Sequence, residues 1–188
     1  MTSGPAPLQL KFAVEALQDG GVIACPTEAV WGLSCDPENE FSVARVLAMK
    51  RRPVAKGLIL VAGAIDQFAQ LLAGLPQPQL DKLVASWPGP VTWLVPHRGR
   101  VPPWIHGDHD TVAVRVSAHP AVRALCLAWG GPLVSTSANR AGARPPRDAF
   151  KVRGTFGGEL DYLLAGAVGS SSRPTEIRDL ASGRIFRD

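Results

Sequence analysis

Pro132-Leu133-Val134-Ser135-Thr136-Ser137-Ala138-Asn139 is the stretch on which the fold turns. A short apolar run enters it, and a run of small hydroxyl and amide residues leaves it. Such residues make a poor core and a good polar floor. The segment therefore reads as a buried strand at residues 133–134 whose end opens into a site. In open α/β sheets, ligands gather where strands end. The same residues also suit a helix N-cap or an Asx turn.

Outward from that strand, helical and extended patterns alternate. Leu10, Val14 and Leu17 repeat at helical spacing, and Gly20-Gly21 stops the helix. Residues 22–25 read as a buried strand ending at Pro26. Residues 41–50 read as a helix that Pro53 cannot continue. A strand over 58–61 and helices over 65–72 and 80–87 follow. Trp87-Pro88-Gly89-Pro90 turns the chain into a strand over 91–95. Val112, Val114 and Val116 alternate with Thr111, Ala113 and Arg115, a period-2 strand. Pro120 opens a helix that ends at Gly130-Gly131. A helix near 148–156 and short strands near 162–164, 176–180 and 184–186 complete the pattern. Residues 96–110 and 140–147 read as surface loops. The expectation is one α/β domain over residues 1–188, a twisted open sheet flanked by helices. The 17 prolines and 19 glycines favour a mixed sheet over a regular doubly wound one.

A chain of 188 residues, 46% hydrophobic and 19% charged, is long enough to bury a sizeable core. The net charge of +4 permits an anionic ligand without demanding nucleic acid. Cys25, Cys35 and Cys126 are odd in number and widely spaced. That fits reduced thiols in a cytoplasmic protein better than disulfides or zinc. Neither an 18-residue apolar stretch nor a basic segment followed by an apolar one is present, so a membrane span or secretion signal is not expected. The two common glycine-rich nucleotide signatures are also missing.

Three polar clusters remain. Lys50, Arg52 and Lys56 stand at a helix end and in the loop after it, where cations can meet a polyphosphate or simply answer the helix dipole. Thr27 and Glu28 follow a strand end and suit either a capped turn or a small ligand, with Glu28 able to hold an ammonium group or a metal-bound water. Ser135, Thr136, Ser137 and Asn139 offer hydroxyls and an amide. Arg115 is a charge in an apolar strand and needs either an anion or a solvated edge. His106-Gly107-Asp108-His109-Asp110 has a metal-like composition but no partner at zinc spacing, so a polar loop and no protein-bound metal are expected.

Together these motifs resemble the YrdC-like family, the threonylcarbamoyl-AMP synthases. Pro26-Thr27-Glu28-Ala29-Val30-Trp31-Gly32-Leu33 is similar to the family's opening motif, and Lys50-Arg51-Arg52-Pro53 to its K-x-R-P elbow. Trp87-Pro88-Gly89-Pro90-Val91-Thr92, Val114-Arg115, Ser135 to Asn139, Thr175-Glu176-Ile177-Arg178-Asp179 and Ile185-Phe186-Arg187 follow in the family's order. The short chain and Lys56-Gly57-Leu58-Ile59 resemble the short bacterial TsaC type.

The resemblance implies an open α/β sheet with a concave, positively charged face. It implies condensation of L-threonine, bicarbonate or CO2, and ATP, with Mg²⁺, to threonylcarbamoyl-AMP and pyrophosphate. The product would pass to a threonylcarbamoyl-transferase machinery that modifies tRNAs reading ANN codons, with weak tRNA contact at most. Lys50 and Arg52 would be catalytic. Lys50, Arg52, Lys56, Thr111, Ser137, Asn139 and Arg187 would hold ATP, and Thr27, Arg115, Ser135 and Thr175 would hold threonine. Trp31, Lys56-Gly57 and Ala141 depart from the commoner family residues. Two other readings stand beside it. One is a non-catalytic RNA-binding module on the basic face. The other is a carbamoyl-adenylate enzyme of the hydrogenase-maturation type, whose zinc-finger and acylphosphatase modules are not in this sequence.

Overall fold

The protein is described by a computed structural model that covers residues 4–171 and 175–187, the Arg187 side chain excepted. In chain order its elements are α1 (Pro7–Gln18), β1 (Ile23–Pro26), β2 (Trp31–Ser34), α2 (Glu40–Lys50), a 3-10 turn (Val54–Lys56), β3 (Ile59–Ala62), a second 3-10 turn (Ile65–Phe68) leading into α3 (Ala69–Leu72), α4 (Gln77–Ser86), β4 (Val91–Pro96), α5 (Pro103–His106), β5 (Thr111–Val116), α6 (Pro120–Trp129), β6 (Leu133–Ser137), α7 (Ala149–Phe156), β7 (Tyr162–Leu163), β8 (Glu176–Asp179) and β9 (Ile185–Arg187). Local signals set the main boundaries. The Asn39 side chain caps α2 by accepting from Ser42 N–H, and Asp148 does the same for α7 through Lys151 N–H. α6 starts with Pro120 in its first turn and stops where Gly130 takes a φ of 91°.

The described strands form one nine-stranded mixed sheet in the order β7-β1-β2-β6-β3-β5-β4-β8-β9. Three of the described pairs are parallel (β1–β7, β3–β5, β4–β8) and the other five are antiparallel. Because successive strand side chains point to opposite faces, the register sorts the residues. Ile59 lies opposite both Ser135 and Ala113, Gly32 opposite Ser137, and Leu94 opposite Ala113. One face therefore carries Gly32, Ser135, Ser137, Ile59, Thr111, Ala113, Arg115 and Leu94. The other face carries Leu33, Val134, Leu60, Val112, Val114, Val116, Trp93 and Val95. These pack in the main core with Val43, Val46 and Met49 of α2, Leu71, Leu72 and Leu83 of α3 and α4, and Val152 and Phe156 of α7.

The first face is covered only in part. α1 and α6 supply Ala13, Leu17, Val122, Leu125 and Cys126, which pack on Ile23, Cys25, Val61 and Leu133 in a smaller core. The half bearing Ala113, Ser135 and Ser137 lies beyond that core, with Ile59 at the border. Arg115 stands opposite Val61, at the line where helix cover ends.

Several expectations are corrected. Trp31–Ser34 is a strand in a stretch to which no element was assigned, and a Cβ on its Gly32 would lie 3.2 Å from Thr27 Cγ2. Residues 65–72 divide into a 3-10 turn and a short helix. The 96–110 loop is not all surface, since α5 within it buries Ile105 completely. β5 is flanked by β3 and β4, so Arg115 is not on an edge strand. The three cysteines are buried free thiols, as expected. None of the described helices is long and apolar enough to cross a membrane.

Candidate functional site

The uncovered half of the sheet face is the floor of a cleft of about 790 Å³. Every expected site residue lines it except Arg187, whose side chain lies outside the described residues. Along β5 the floor runs from Thr111 to Arg115, roughly 13 Å at a strand's rise per residue.

The cationic elbow forms one end. α2 runs through Lys50, and Arg51 takes a left-handed φ of 52°, closing the helix with bonds from Arg51 N–H to Ala48 O and from Arg52 N–H to Leu47 O. Lys50 thus ends the helix and Arg52 stands in the loop after it, as their spacing suggested. Lys50 is buried, and its ammonium donates to the main-chain carbonyls of Ser137 and Asn139. Burial, and then the charge of Arg52, push its pKa down to about 8. Arg52 donates through Nε and Nη2 to Gly57 O and through Nη2 to Lys56 O, drawing the elbow loop closed. α5 and the turn after it grip the loop from the other side: Leu58 N–H donates to Ile105 O, and Asp108 N–H to Ala55 O. The exposed Lys56 and the half-buried Thr111 complete this end with Ser137 and Asn139. Asn139 donates to Arg140 O and Ala143 O, and its buried Oδ1 has no partner among the described residues.

Arg115 forms the other end. Its Nη1 donates to Thr175 Oγ1, which lies 3.2 Å from Thr92 Oγ1. Its Nη2 meets Glu28 Oε2 at 3.4 Å. Glu28 also accepts from Ser117 Oγ at 2.6 Å, and that same oxygen accepts from His119 N–H. His119 Nδ1 accepts from Ala121 N–H, so Nε2 carries the proton and donates to Ala167 O. Thr27 gives its hydroxyl proton to Val30 O, which leaves the oxygen free to accept from a ligand. Ser135 lies on the floor between the two ends.

Glu28 was missed as the partner of Arg115. The alternation of β5 shows the face that Arg115 and, further on, Ser117 share, but it does not show which anion meets them. Arg51, His106, His109, Asp179 and Phe186 also line the cleft.

Burial tends to raise the Glu28 pKa, but the Arg115 charge and the Ser117 hydrogen bond outweigh it and hold the carboxyl below its ordinary value. Burial also lowers the His119 pKa, against the opposing pull of Ala167 O and Glu28. In both cases the unfolded chain binds the proton more readily, so both groups make stability fall as pH falls. Loss should begin as pH falls through the ordinary histidine range, where unfolded His119 protonates, and continue through the carboxylate range until Glu28 protonates in the folded state. Urea midpoints measured against pH should show both steps, and Glu28→Gln should remove the lower one.

The Sua5_yciO_yrdC family model, described as "Telomere recombination", matches residues 15–188. A Chromohalobacter salexigens protein named threonylcarbamoyl-AMP synthase is 56% identical over 175 residues, which is 93% of this chain and 94% of its own. A protein of the same name from Halorhodospira halophila is 51% identical over 184 residues, covering 98% and 96% of the two chains. P. abyssi Sua5, solved in complex with L-threonine, matches at a TM-score of 0.86 and 30% identity over 94% of this chain. The match spans only about half of that longer protein, 52%. E. coli YciO shares the fold, with a TM-score of 0.86 at 23% identity over 98% of this chain and 92% of its own.

Proposed function

The chain belongs to the Sua5/YciO/YrdC family, and from that premise we propose that it is a threonylcarbamoyl-AMP synthase, joining L-threonine, bicarbonate or CO2, and ATP into threonylcarbamoyl-AMP with release of pyrophosphate. The observation that carries this reading is one sheet face whose uncovered half presents a buried guanidinium at one end and a cationic elbow at the other. A volume of about 790 Å³ is of the size that small-molecule sites take. Its lining includes the cations Lys50, Arg51, Arg52, Lys56 and Arg115 against the carboxylates Glu28 and Asp179, a balance that suits a polyphosphate.

In this assignment Arg115, Thr175, Thr27 and Ser135 hold threonine, with Arg115 on its carboxylate. Lys50, Arg52, Lys56, Thr111, Ser137, Asn139 and Arg187 hold ATP. The threonine nitrogen bonds to CO2 to give a carbamate. A carbamate oxygen then attacks the α-phosphorus, and pyrophosphate leaves. No protein nucleophile enters the reaction, so the chain contributes position and charge. Lys50 gives two of its three N–H bonds to carbonyls and keeps the third for phosphate. Mg²⁺ enters on ATP as part of the substrate. Among the described residues no three His, Cys, Asp or Glu side chains gather as ligands, and the elbow offers cations, so the phosphates themselves fit the ion best. When bound it neutralises phosphate charge. The activity belongs in the cytoplasm, upstream of the transferase machinery that places the group on tRNA, and any tRNA contact of this chain is weak.

Purified protein given ATP, Mg²⁺, L-threonine and bicarbonate should release pyrophosphate, and omission of either threonine or bicarbonate should stop it. Folded protein that binds tRNA in a steeply salt-dependent way but releases nothing would overturn the synthase in favour of an RNA-binding module.

A further inference from the structure

Granting the synthase reading, we propose that Glu28 holds the α-amino group of the amino-acid substrate while Arg115 holds its carboxylate, so that this buried pair selects an α-amino acid over other carboxylic acids. Glu28 lines the cleft and is 9% exposed. An ionised carboxylate offers about four acceptor positions. Ser117 Oγ takes one at 2.6 Å, and Arg115 Nη2 lies at 3.4 Å, a long contact that leaves the carboxylate room for a closer donor. The other carboxylate in the lining, Asp179, stands on β8 opposite Leu94 and takes both its Ser182 bonds at Oδ1, whereas Glu28 is the carboxylate that meets Arg115. An α-amino acid carries its two charges on adjacent groups, and Glu28 and Arg115 present the opposite charges side by side. Arg115 alone would accept any carboxylate.

The chemistry gives the contact a second use. The ammonium first loses one proton to water. The nitrogen lone pair then bonds to the carbon of CO2, and one C–O bonding pair moves onto oxygen. The nitrogen is positive at that stage, and a second proton goes to water to leave the carbamate. A fixed carboxylate beside that nitrogen stabilises the passing positive charge. The lowered pKa of Glu28 agrees with a group that stays ionised throughout, a contact and not the proton acceptor.

The probe pair is L-threonine and (2S,3R)-2,3-dihydroxybutanoate, which has a hydroxyl in place of the ammonium. Calorimetric dissociation constants for both would be measured with wild type, Glu28→Gln and Ser117→Ala. Wild type is expected to favour threonine at least tenfold, and Glu28→Gln to cut that preference at least tenfold, raising KM for threonine but not for ATP. If Glu28 merely orients Arg115, both ligands weaken by the same factor. An unchanged preference would therefore overturn the assignment. Should Glu28→Gln fail to fold, Ser117→Ala, which loosens the carboxylate but keeps its charge, is expected to cut the preference several-fold, and no change there would also overturn it. Wild type that binds neither probe and releases no pyrophosphate ends the synthase reading and this assignment together. Wild-type turnover with an unchanged preference in the variants ends this assignment alone.

Discussion

Arg115→Ala is expected to abolish threonine-dependent pyrophosphate release and to lower stability by about 3 kcal/mol or more, because it leaves Glu28 buried without its cation. In a chain of this length that is a fall in Tm of roughly 6–12 °C. The two losses have different origins and separate in a double variant. In Arg115→Met with Glu28→Gln, both charges are gone and the volume is kept, so most of the stability should return. Threonine use should not return, since no guanidinium remains to meet the carboxylate. Thermal melts and pyrophosphate release on the same preparations test both halves. If the double variant recovered turnover, Arg115 would not be the carboxylate contact. If Arg115→Ala melted like wild type, the ion pair would not be part of what holds the β1–β2 turn against β5.

The sequence made the alternation in β5 plain, and with it the sheet face that now carries the site. Valines at 112, 114 and 116 look into the main core, and the intervening residues look into the cleft. The hydroxyl run after Leu133-Val134 and the cations around Pro53 were legible for a related reason. Side chains so unsuited to a core must stand where the core stops.

What stayed hidden was pairing across distance. Glu28 and Arg115 lie 87 residues apart, and no local rule joins them. Arg115 therefore looked as ready for a solvated edge as for a buried anion. β2 was hidden because a four-residue strand containing Gly32 has too little β-propensity to announce itself; its partners β1 and β6 hold it in place. The bonds of the elbow were hidden for another reason. A side-chain pattern shows that Lys50 and Arg52 are cationic, but their partners here are main-chain carbonyls, which a sequence does not display.

Those carbonyl bonds give the second large effect. Lys50→Met is expected to lower turnover by about a hundredfold, the scale for removing one positioned donor from developing charge, in a protein that still folds. Burial and the neighbouring Arg52 hold the Lys50 pKa at about 8, below the unfolded value near 10.4. Between those two values the unfolded chain binds a proton that the folded chain does not, so burying the ammonium costs stability below about pH 8, and the cost is relieved as pH rises through that window. ATP reverses the balance, because its phosphates favour the ammonium. ATP binding should therefore take up a proton above pH 8, and wild-type affinity should be level below pH 8 and fall above it. Lys50→Met has no such group and should bind ATP weakly, with no pH dependence from that source. Binding is the better readout than turnover, because the threonine amine also titrates at alkaline pH. A wild-type affinity that stayed level from pH 7 to 9.5, or a folded Lys50→Met that turned over normally, would remove Lys50 from the phosphate site and leave it as a tether for the end of β6.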